Sequence, residues 1–436
     1  MKRYFLIIIL PVLWFSAASQ ALLTPEEALR IGLENNFGIL LVRNDKAIAE
    51  NNTSIGNAGM LPRVNLSGSR NFSVNDSRQE FLTGQVNERN NAHSQVFNYG
   101  AQLNWTIFDG FRMFRRYGQL KSLEKKAEMQ ELLAVEQTIQ SIYNQYYGLV
   151  LLEKRRAFQE RSLQLSGERV RLADTRLRSG SGSRLEFLQA QVDRNNDSSA
   201  LYEIRNQIVR ARMQFNHTLG REPETDFRVS DTIPESSLPD EAVLSQRLLE
   251  YNTMLSLARQ DEQIALLSIK EIRSRYYPEL AATISYSYLN QQSEAGFLIS
   301  NNSSGFTYGL AASLSIFNGL NTRRELKNYK ILAENSSLRI ASLENELKAN
   351  LMAMIHQYRN KLSQIELEKQ NAQAAAENLK LASQRYSIGD LSGLEYREAQ
   401  RNDLNASVRL LQSLQEAGLL ETGIRQMTGL LRFGAQ

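Results

Sequence analysis

The sequence predicts a mainly α-helical chain with a small membrane-embedded β portion. Three observations carry this reading: two long alternations of apolar and polar residues, two stretches of nearly seventy residues without proline, and an internal repeat that contains both. Composition points the same way. Of 436 residues only 42% are hydrophobic and 8% aromatic while 22% are charged, which suits long solvated helices better than a set of thick cores. Seven prolines in that length leave long segments free to be helical.

Charge and chemistry exclude several function classes. Lys and Arg number 51 against 47 Asp and Glu, a formal charge of +4 that falls to +2 beyond Lys2 and Arg3, so a nucleic-acid partner is not indicated. The chain has no cysteine, which rules out disulfides, Cys-bound zinc or iron–sulfur sites, a thiol nucleophile and a lipidated N-terminal cysteine. His93, His217 and His356 are more than a hundred residues apart, and no HExxH, GxSxG or phosphate-binding glycine loop occurs. No catalytic group, metal or cofactor is therefore expected.

The elements follow in order. Residues 1–21 have a basic start, an apolar stretch from Tyr4 to Phe15 and small residues ending at Ala21, a secretory signal too short to span a bilayer. Thr24-Pro25-Glu26-Glu27 starts a helix that should run toward Asn57, with a capping Thr and a proline in the first turn. A first β-hairpin is expected over residues 63–108. Its second strand alternates Phe97, Tyr99, Ala101, Leu103, Trp105 and Ile107 with Asn98, Gly100, Gln102, Asn104 and Thr106. A second hairpin is expected over 279–317, ending in Phe306, Tyr308, Leu310, Ala312, Leu314 and Ile316 against Thr307, Gly309, Ala311, Ser313 and Ser315. Weaker first strands follow Pro62 (Val64, Leu66, Phe72, Val74) and Pro278 (Leu280 to Tyr288), and Asn- and Ser-rich loops should join each pair.

Strands of this length, with Tyr and Trp on one face and small or polar residues on the other, fit a bilayer bordering a wet lumen. Four strands cannot close a barrel, however. Open edges in lipid leave unpaired backbone groups at several kcal/mol each, so other copies of the chain must complete the wall. After Gly110 and Gly319 come long helices expected over 111–178 and 320–387, each about 100 Å long at ~1.5 Å per residue. Leu132, Val135, Ile139, Ile142, Tyr146 and Leu149 step as a left-handed coiled coil, whereas Leu343, Leu347, Leu351, Met354, Tyr358, Leu362 and Ile365 repeat every eleven and favour a nearly straight helix. Sharp turns lead to returning helices over 184–219 and 394–428. Residues 221–240, with Pro223, Pro234 and Pro239, form a connector, and 431–436 a short tail.

The connector separates two similar halves, 22–220 and 241–430. A shift of 209 brings Tyr99-Gly100 onto Tyr308-Gly309, Ile107-Phe108 onto Ile316-Phe317, Gly110 onto Gly319, Arg176 onto Arg385, Gly180 onto Gly389, Leu185-Glu186 onto Leu394-Glu395, and Ala190-Gln191 onto Ala399-Gln400. Upstream the shift is 216, from Pro62 to Pro278.

This order, the strand ends WTIFDG and LSIFNG, and the turn motifs TRLRSGSGSRLEFLQAQ and QRYSIGDLSGLEYREAQ resemble the TolC family of outer-membrane efflux proteins over essentially all of residues 22–430. The resemblance implies a homotrimer in the outer membrane of a Gram-negative bacterium, with twelve strands in one lipid-facing barrel. It also implies a periplasmic α-barrel of long helices, closed at its far end. The implied function is a passive exit duct of a tripartite efflux or type I secretion system. A periplasmic adaptor (membrane fusion) protein would couple it to an inner-membrane pump of the RND, ABC or MFS class.

Glu395 and Glu398 share a helix face just after the Gly389 turn and match positions where relatives place acidic rings. With Glu186 in the first repeat they are the pore-constriction candidates, favouring cations at the mouth. The second carboxylate has no counterpart in that repeat, where Gln189 stands. Where some relatives carry arginine two residues after this turn's glycine, this chain has Leu391. The resemblance also places adaptor contact at the turns, here Gly180, Ser181, Gly182 and Leu185 in one and Gly389, Asp390, Leu391, Gly393 and Leu394 in the other. The competing reading is a soluble periplasmic coiled-coil or adaptor protein, which leaves the lumen-like alternation at 97–107 without a purpose.

Overall fold

The computed structural model describes residues 22–230, 238–296 and 298–431. The proposed signal segment lies outside them, as does part of the connector and most of the short tail. In chain order the elements are β1 (Leu22–Leu23), α1 (Pro25–Asn35), α2 (Phe37–Asn52), β2 (Arg63–Glu80), β3 (Val86–Asp109), α3 (Arg112–Arg178) and α4 (Arg184–Leu219). Then come β4 (Arg228–Val229), α5 (Glu241–Tyr251), α6 (Thr253–Arg273), β5 (Glu279–Ser293), β6 (Ser300–Ser313), α7 (Asn321–Ile388) and α8 (Gly393–Met427). Contacts divide the chain into two compact units. One takes Val42–Leu132 and Thr253–Asn345, the other the described residues within Met1–Leu41, Leu133–Asn252 and Glu346–Gln436, so each draws on both repeats. Among the described residues no helix is long and apolar enough to cross a membrane.

The first unit holds one antiparallel sheet in the order β2-β3-β5-β6. Because side chains alternate along each strand, its registers sort the two faces. Leu66, Ala101, Tyr286 and Phe306 form one row of an apolar face; Val64, Leu103, Ile284 and Tyr308 form the next. Tyr99 stacks on Tyr288 within that face, with ring centroids 4.9 Å apart. Rows such as Asn65, Gln102, Ser285 and Thr307 make the opposite face polar. Trp105, at the base of the apolar face, donates its indole N–H to the Met60 carbonyl at 3.0 Å, so its one polar atom is not stranded.

Three expectations need correction here. The Asn- and Ser-rich segment of the first hairpin is strand rather than loop. β2 and β3 stay paired out to Glu80 and Val86, with one register shift between Asn75 and Ser77, around a turn closed by Phe81 N–H on the Gln85 carbonyl at 2.9 Å. Backbone pairing needs no apolar face once both sides meet water. Second, the last strand stops at Ser313 instead of continuing through Ile316. β5 begins at Glu279, opposite Ser313, and offers nothing to pair with beyond it. Third, Leu362 in the stripe of α7 is 45% exposed, and Ile355 is buried instead.

The opening helix also departs from expectation, since it breaks at Asn36, whose ψ of 121° leaves the helical region. The Asn36 amide accepts from Ile39 N–H at 3.1 Å and donates to the Thr218 carbonyl at 2.8 Å. It thus restarts the next helix and caps the returning one. Asn252, 216 residues on, repeats the device between α5 and α6 by donating to the Met427 carbonyl at 2.9 Å. Both units rest on packed helices. In the second, Ile139, Ile142, Tyr146 and Leu149 of α3 are buried against Phe215, Leu219, Leu29 and Phe227.

Candidate docking and gating turns

The α3–α4 turn is built by glycine and serine. Gly180 takes φ +75°, and Gly182 passes so close to Arg176 that an added Cβ would lie 2.8 Å from that residue's Cβ. The Ser181 and Gly182 N–H groups both donate to the Arg176 carbonyl at 2.9 Å, satisfying the end of α3. Ser183 then caps α4, accepting from Glu186 N–H at 3.1 Å. The α7–α8 turn repeats the scheme with Gly389 at φ +87° and Asp390 N–H on the Arg385 carbonyl at 2.9 Å. Ser392 caps α8 with a full capping box. Its hydroxyl accepts from Glu395 N–H at 3.2 Å, while the Glu395 carboxylate accepts from the Ser392 N–H at 3.1 Å and its hydroxyl at 2.7 Å.

The candidate residues therefore sit in different settings. Leu185 and Leu394, equivalent in the repeat, are each 76% exposed, and Gly180, Ser181, Gly389 and Asp390 are exposed beside them. Leu391 and Gly393 face inward. Leu391 packs on the cluster of Leu379, Ala382, Tyr386, Tyr396 and Ala399, and a Cβ on Gly393 would stand 3.1 Å from Glu186 Oε1. Glu395 and Glu398 are exposed one turn apart on α8. The Ser392 hydroxyl, followed by its backbone N–H, holds the Glu395 carboxyl below the usual carboxylate range.

Glu186 is not at a free tip. It accepts from the Tyr386 hydroxyl at 3.1 Å and lies 3.7 Å from Arg176 Nη1. Arg176 in turn donates to the Tyr386 carbonyl and stands over its ring, 4.7 Å from the centroid. Tyr386 stacks on Tyr396 at 4.8 Å. Burial, reinforced by the Glu186 charge, pushes the Tyr386 hydroxyl above its ordinary value. The start of α4 is thus tied to the end of α7.

A buried ionic cluster backs these turns, and sequence reasoning missed it. Arg397 of α8 grips Asp197 of α4 with both guanidinium amines, at 2.8 and 2.7 Å. The Asp197 carboxylate also accepts from Ser166 and from Ser162, the latter at 3.4 Å. Arg169, 2% exposed, donates to Asp193 at 2.6 Å. Burial works against the Arg397 charge, but the Asp197 bonds outweigh it and raise its affinity for the proton. The available signal was helical spacing, with Ser162, Ser166 and Arg169 at steps of four and three, and Asp193 and Asp197 four apart.

An antiparallel sheet with one apolar face, continuing into helices of 67 and 68 residues that reverse at capped turns, defines an outer-membrane channel with a helical extension. The chain belongs to the outer membrane efflux protein family, whose family model matches residues 29–221 and 244–430. It is therefore an outer-membrane transport protein of a Gram-negative bacterium, in a family of channels and not of enzymes. It is 22% identical to the outer membrane efflux protein BepC of Brucella suis biovar 1 (strain 1330) over 410 residues, 92% of this chain and 84% of that one. The Campylobacter jejuni CmeC outer membrane channel superposes with a TM-score of 0.78 at 16% identity, covering 93% of this chain and 85% of the other. The outer-membrane channel OprN superposes at 0.77 and 17%, covering 93% and 89%. These structures share the fold of this chain.

Proposed function

We propose that the protein works as a homotrimer, a passive exit duct through which an inner-membrane pump of the RND, ABC or MFS class discharges by way of a periplasmic adaptor, in tripartite efflux or type I secretion. The observation that carries this is the sheet. Among the described residues it has four strands, one apolar face and two unpaired edges, and such a sheet is stable in lipid only when other copies close it into a barrel. The exposed leucines at equivalent places in the two turns, Leu185 and Leu394, support the turns as the adaptor's docking points. Glu398, with Glu395 beside it, supplies the charge of an acidic mouth. Three copies contribute two such carboxylates each, which favours cations over anions there.

The test is direct. The protein should fractionate with the outer membrane as a heat-sensitive trimer and conduct in planar bilayers with cation preference. Replacing Glu395 and Glu398 together by Gln should remove that preference and leave the trimer intact. Leu185→Glu with Leu394→Glu should abolish cross-linking to the adaptor while conduction persists. A protein that stays in aqueous solution as a monomer overturns the reading.

A further inference from the structure

The apolar face of the sheet is short for the bilayer it meets. Its rows run from Leu280 opposite Phe108 to Tyr288 opposite Tyr99, and the next row on that face, Arg70, Phe97, Asn290 and Asn302, is mostly polar. From Leu280 to Tyr288 a strand advances about 27 Å, which is about 20 Å across a bilayer at the usual tilt, against an apolar band of about 25 Å in such barrels. The missing part must lie at the other end, where the strands pass into α3 and α7.

There a bulge between Thr106 and Phe108 keeps Trp105 and Phe108 on the same face. The rings continue beyond the strand: Phe108 meets Phe111 edge-on at 5.2 Å between centroids, and Phe111 lies 6.2 Å from Phe114 in the first turn of α3. Phe111 holds φ +69° directly after Gly110 at +68°, and its repeat equivalent Leu320 holds +59° after Gly319 at +67°. Bulky side chains rarely adopt this left-handed conformation, whereas glycine takes it without strain. Both repeats still place a large apolar residue there, 52% and 59% exposed, so neither serves the core.

One turn further the character changes from apolar to basic. The Arg115 N–H donates to the Phe111 carbonyl at 3.1 Å and the Arg324 N–H to the Leu320 carbonyl at 3.0 Å, which sets each arginine one helical turn past the apolar residue, with Arg323 beside Arg324. All three are exposed, and among the described residues no carboxylate pairs with any of them. Arg112 and Arg275 close by are held, by Asp109 at 3.2 Å and Glu325 at 2.7 Å. Apolar side chains followed about 5 Å on by free guanidinium groups match the step from acyl chains to headgroup phosphates. Building on the lipid-facing sheet described above, we propose that the two strand-to-helix joints form a phospholipid-binding collar. Phe111, Phe114 and Leu320 enter the acyl boundary of the periplasmic leaflet, and Arg115, Arg323 and Arg324 bind the phosphates of its headgroups.

The chain has no cysteine, so single fluorophores can be placed one at a time. Phe111→Cys, Leu320→Cys, Ile284→Cys within the sheet and Glu334→Cys on α7 are labelled, and each protein is reconstituted in vesicles of phosphatidylethanolamine and phosphatidylglycerol. Lipids carrying a quencher near the headgroup should dim the labels at the two joints, and aqueous iodide should quench those labels about threefold less than the one on α7. Joint labels as open to iodide as the α7 label, with the sheet label still shielded, overturn the collar and leave the lipid-facing sheet standing. A sheet label open to iodide overturns both.

The arginines have a separate readout. Spin-labelled phosphatidylglycerol should associate with the protein about fivefold more strongly than spin-labelled phosphatidylcholine at low salt. Arg115→Gln, Arg323→Gln and Arg324→Gln together should bring that ratio close to one, while Lys substitutions at the same three positions should keep most of it, with helical circular dichroism unchanged in both. A parent protein without the preference, or a preference that survives the Gln substitutions, overturns the phosphate site.

Discussion

The two helical turns share a sequence offset, a left-handed glycine and a serine cap, yet they serve differently. Arg176 in the first reaches across to the Tyr386 carbonyl, and Glu186, 3.7 Å from Arg176 within the same turn, reaches across to the Tyr386 hydroxyl. Their counterparts stay at home: Arg385 pairs with Asp390 of its own turn at 2.9 Å, and Glu395 folds back onto Ser392. The buried cluster is just as one-sided. Arg397 and Asp197 have Leu188 and Ala406 at their repeat-equivalent positions. Duplication has kept what each turn needs locally, caps and glycines, while the long-range partners have diverged. The first turn is an anchor and the second a self-contained tip.

The sharpest way to break this contrast is at the cluster. Asp197→Ala leaves Arg397, 13% exposed, with its main partner gone. Removing one member of a buried pair costs about 3–5 kcal/mol, so the helical signal should melt at a clearly lower temperature by circular dichroism. Adding Arg397→Met should recover much of that loss, because no charge is then left stranded. A single variant as stable as the parent would show the pair to be ornamental. Next in size is Tyr386→Phe, which takes a donor from the Glu186 carboxylate and should cost about 1–3 kcal/mol.

The tyrosine also leaves a signature in pH. Burial and the Glu186 charge raise the Tyr386 pKa, so the native chain keeps this proton after the unfolded chain has lost it. The resulting stability is complete below the ordinary tyrosine value of about 10 and is lost as pH climbs through the native one. Tyr147, pushed up to about 12 chiefly by burial, shares this alkaline decline. Unfolding followed from neutral to strongly alkaline pH should therefore fall less steeply in Tyr386→Phe. An unchanged alkaline limb would remove Tyr386 from the account.

The strands and long helices were legible because each obeys a period: two for residues 97–107, and three or four for the buried stripe of α3. The helix break at Asn36 was not. An asparagine within an otherwise helical run is a weak signal alone, and its meaning appears only when Leu33-Glu34 and Asn36 are set against Leu249-Glu250 and Asn252 at the 216 shift. The extended strands escaped because polar residues on both faces carry no alternation. At the turns, Ser392 and Glu395 spell a capping box three residues apart, but an acidic residue near a turn draws attention first to its charge. Arg397 and Asp197 are 200 residues apart, and only the packing of α4 against α8 brings them together.

The smallest expected effect separates the cap that Glu395 makes from the charge proposed for it at the mouth. Ser183→Ala and Ser392→Ala should each cost about 1 kcal/mol, with Ser392 the more sensitive because its cap is reciprocal. Glu395→Gln keeps an acceptor for the Ser392 N–H and discards only the charge, so at neutral pH the unfolding temperature should stay close to that of the parent. The difference should emerge in acid. The Ser392 bonds hold the native Glu395 carboxyl below its ordinary value, so its contribution is present above that value and disappears as pH falls through the native one. Glu395→Gln should remove that part of the acid limb, whereas Glu398→Gln, whose carboxylate makes no such cap, should leave it in place. If both variants altered the acid limb equally, cap and charge would be inseparable at this tip. If only Glu395→Gln does, the second turn stabilises itself through Glu395, and Glu398 alone carries the charge of the proposed mouth.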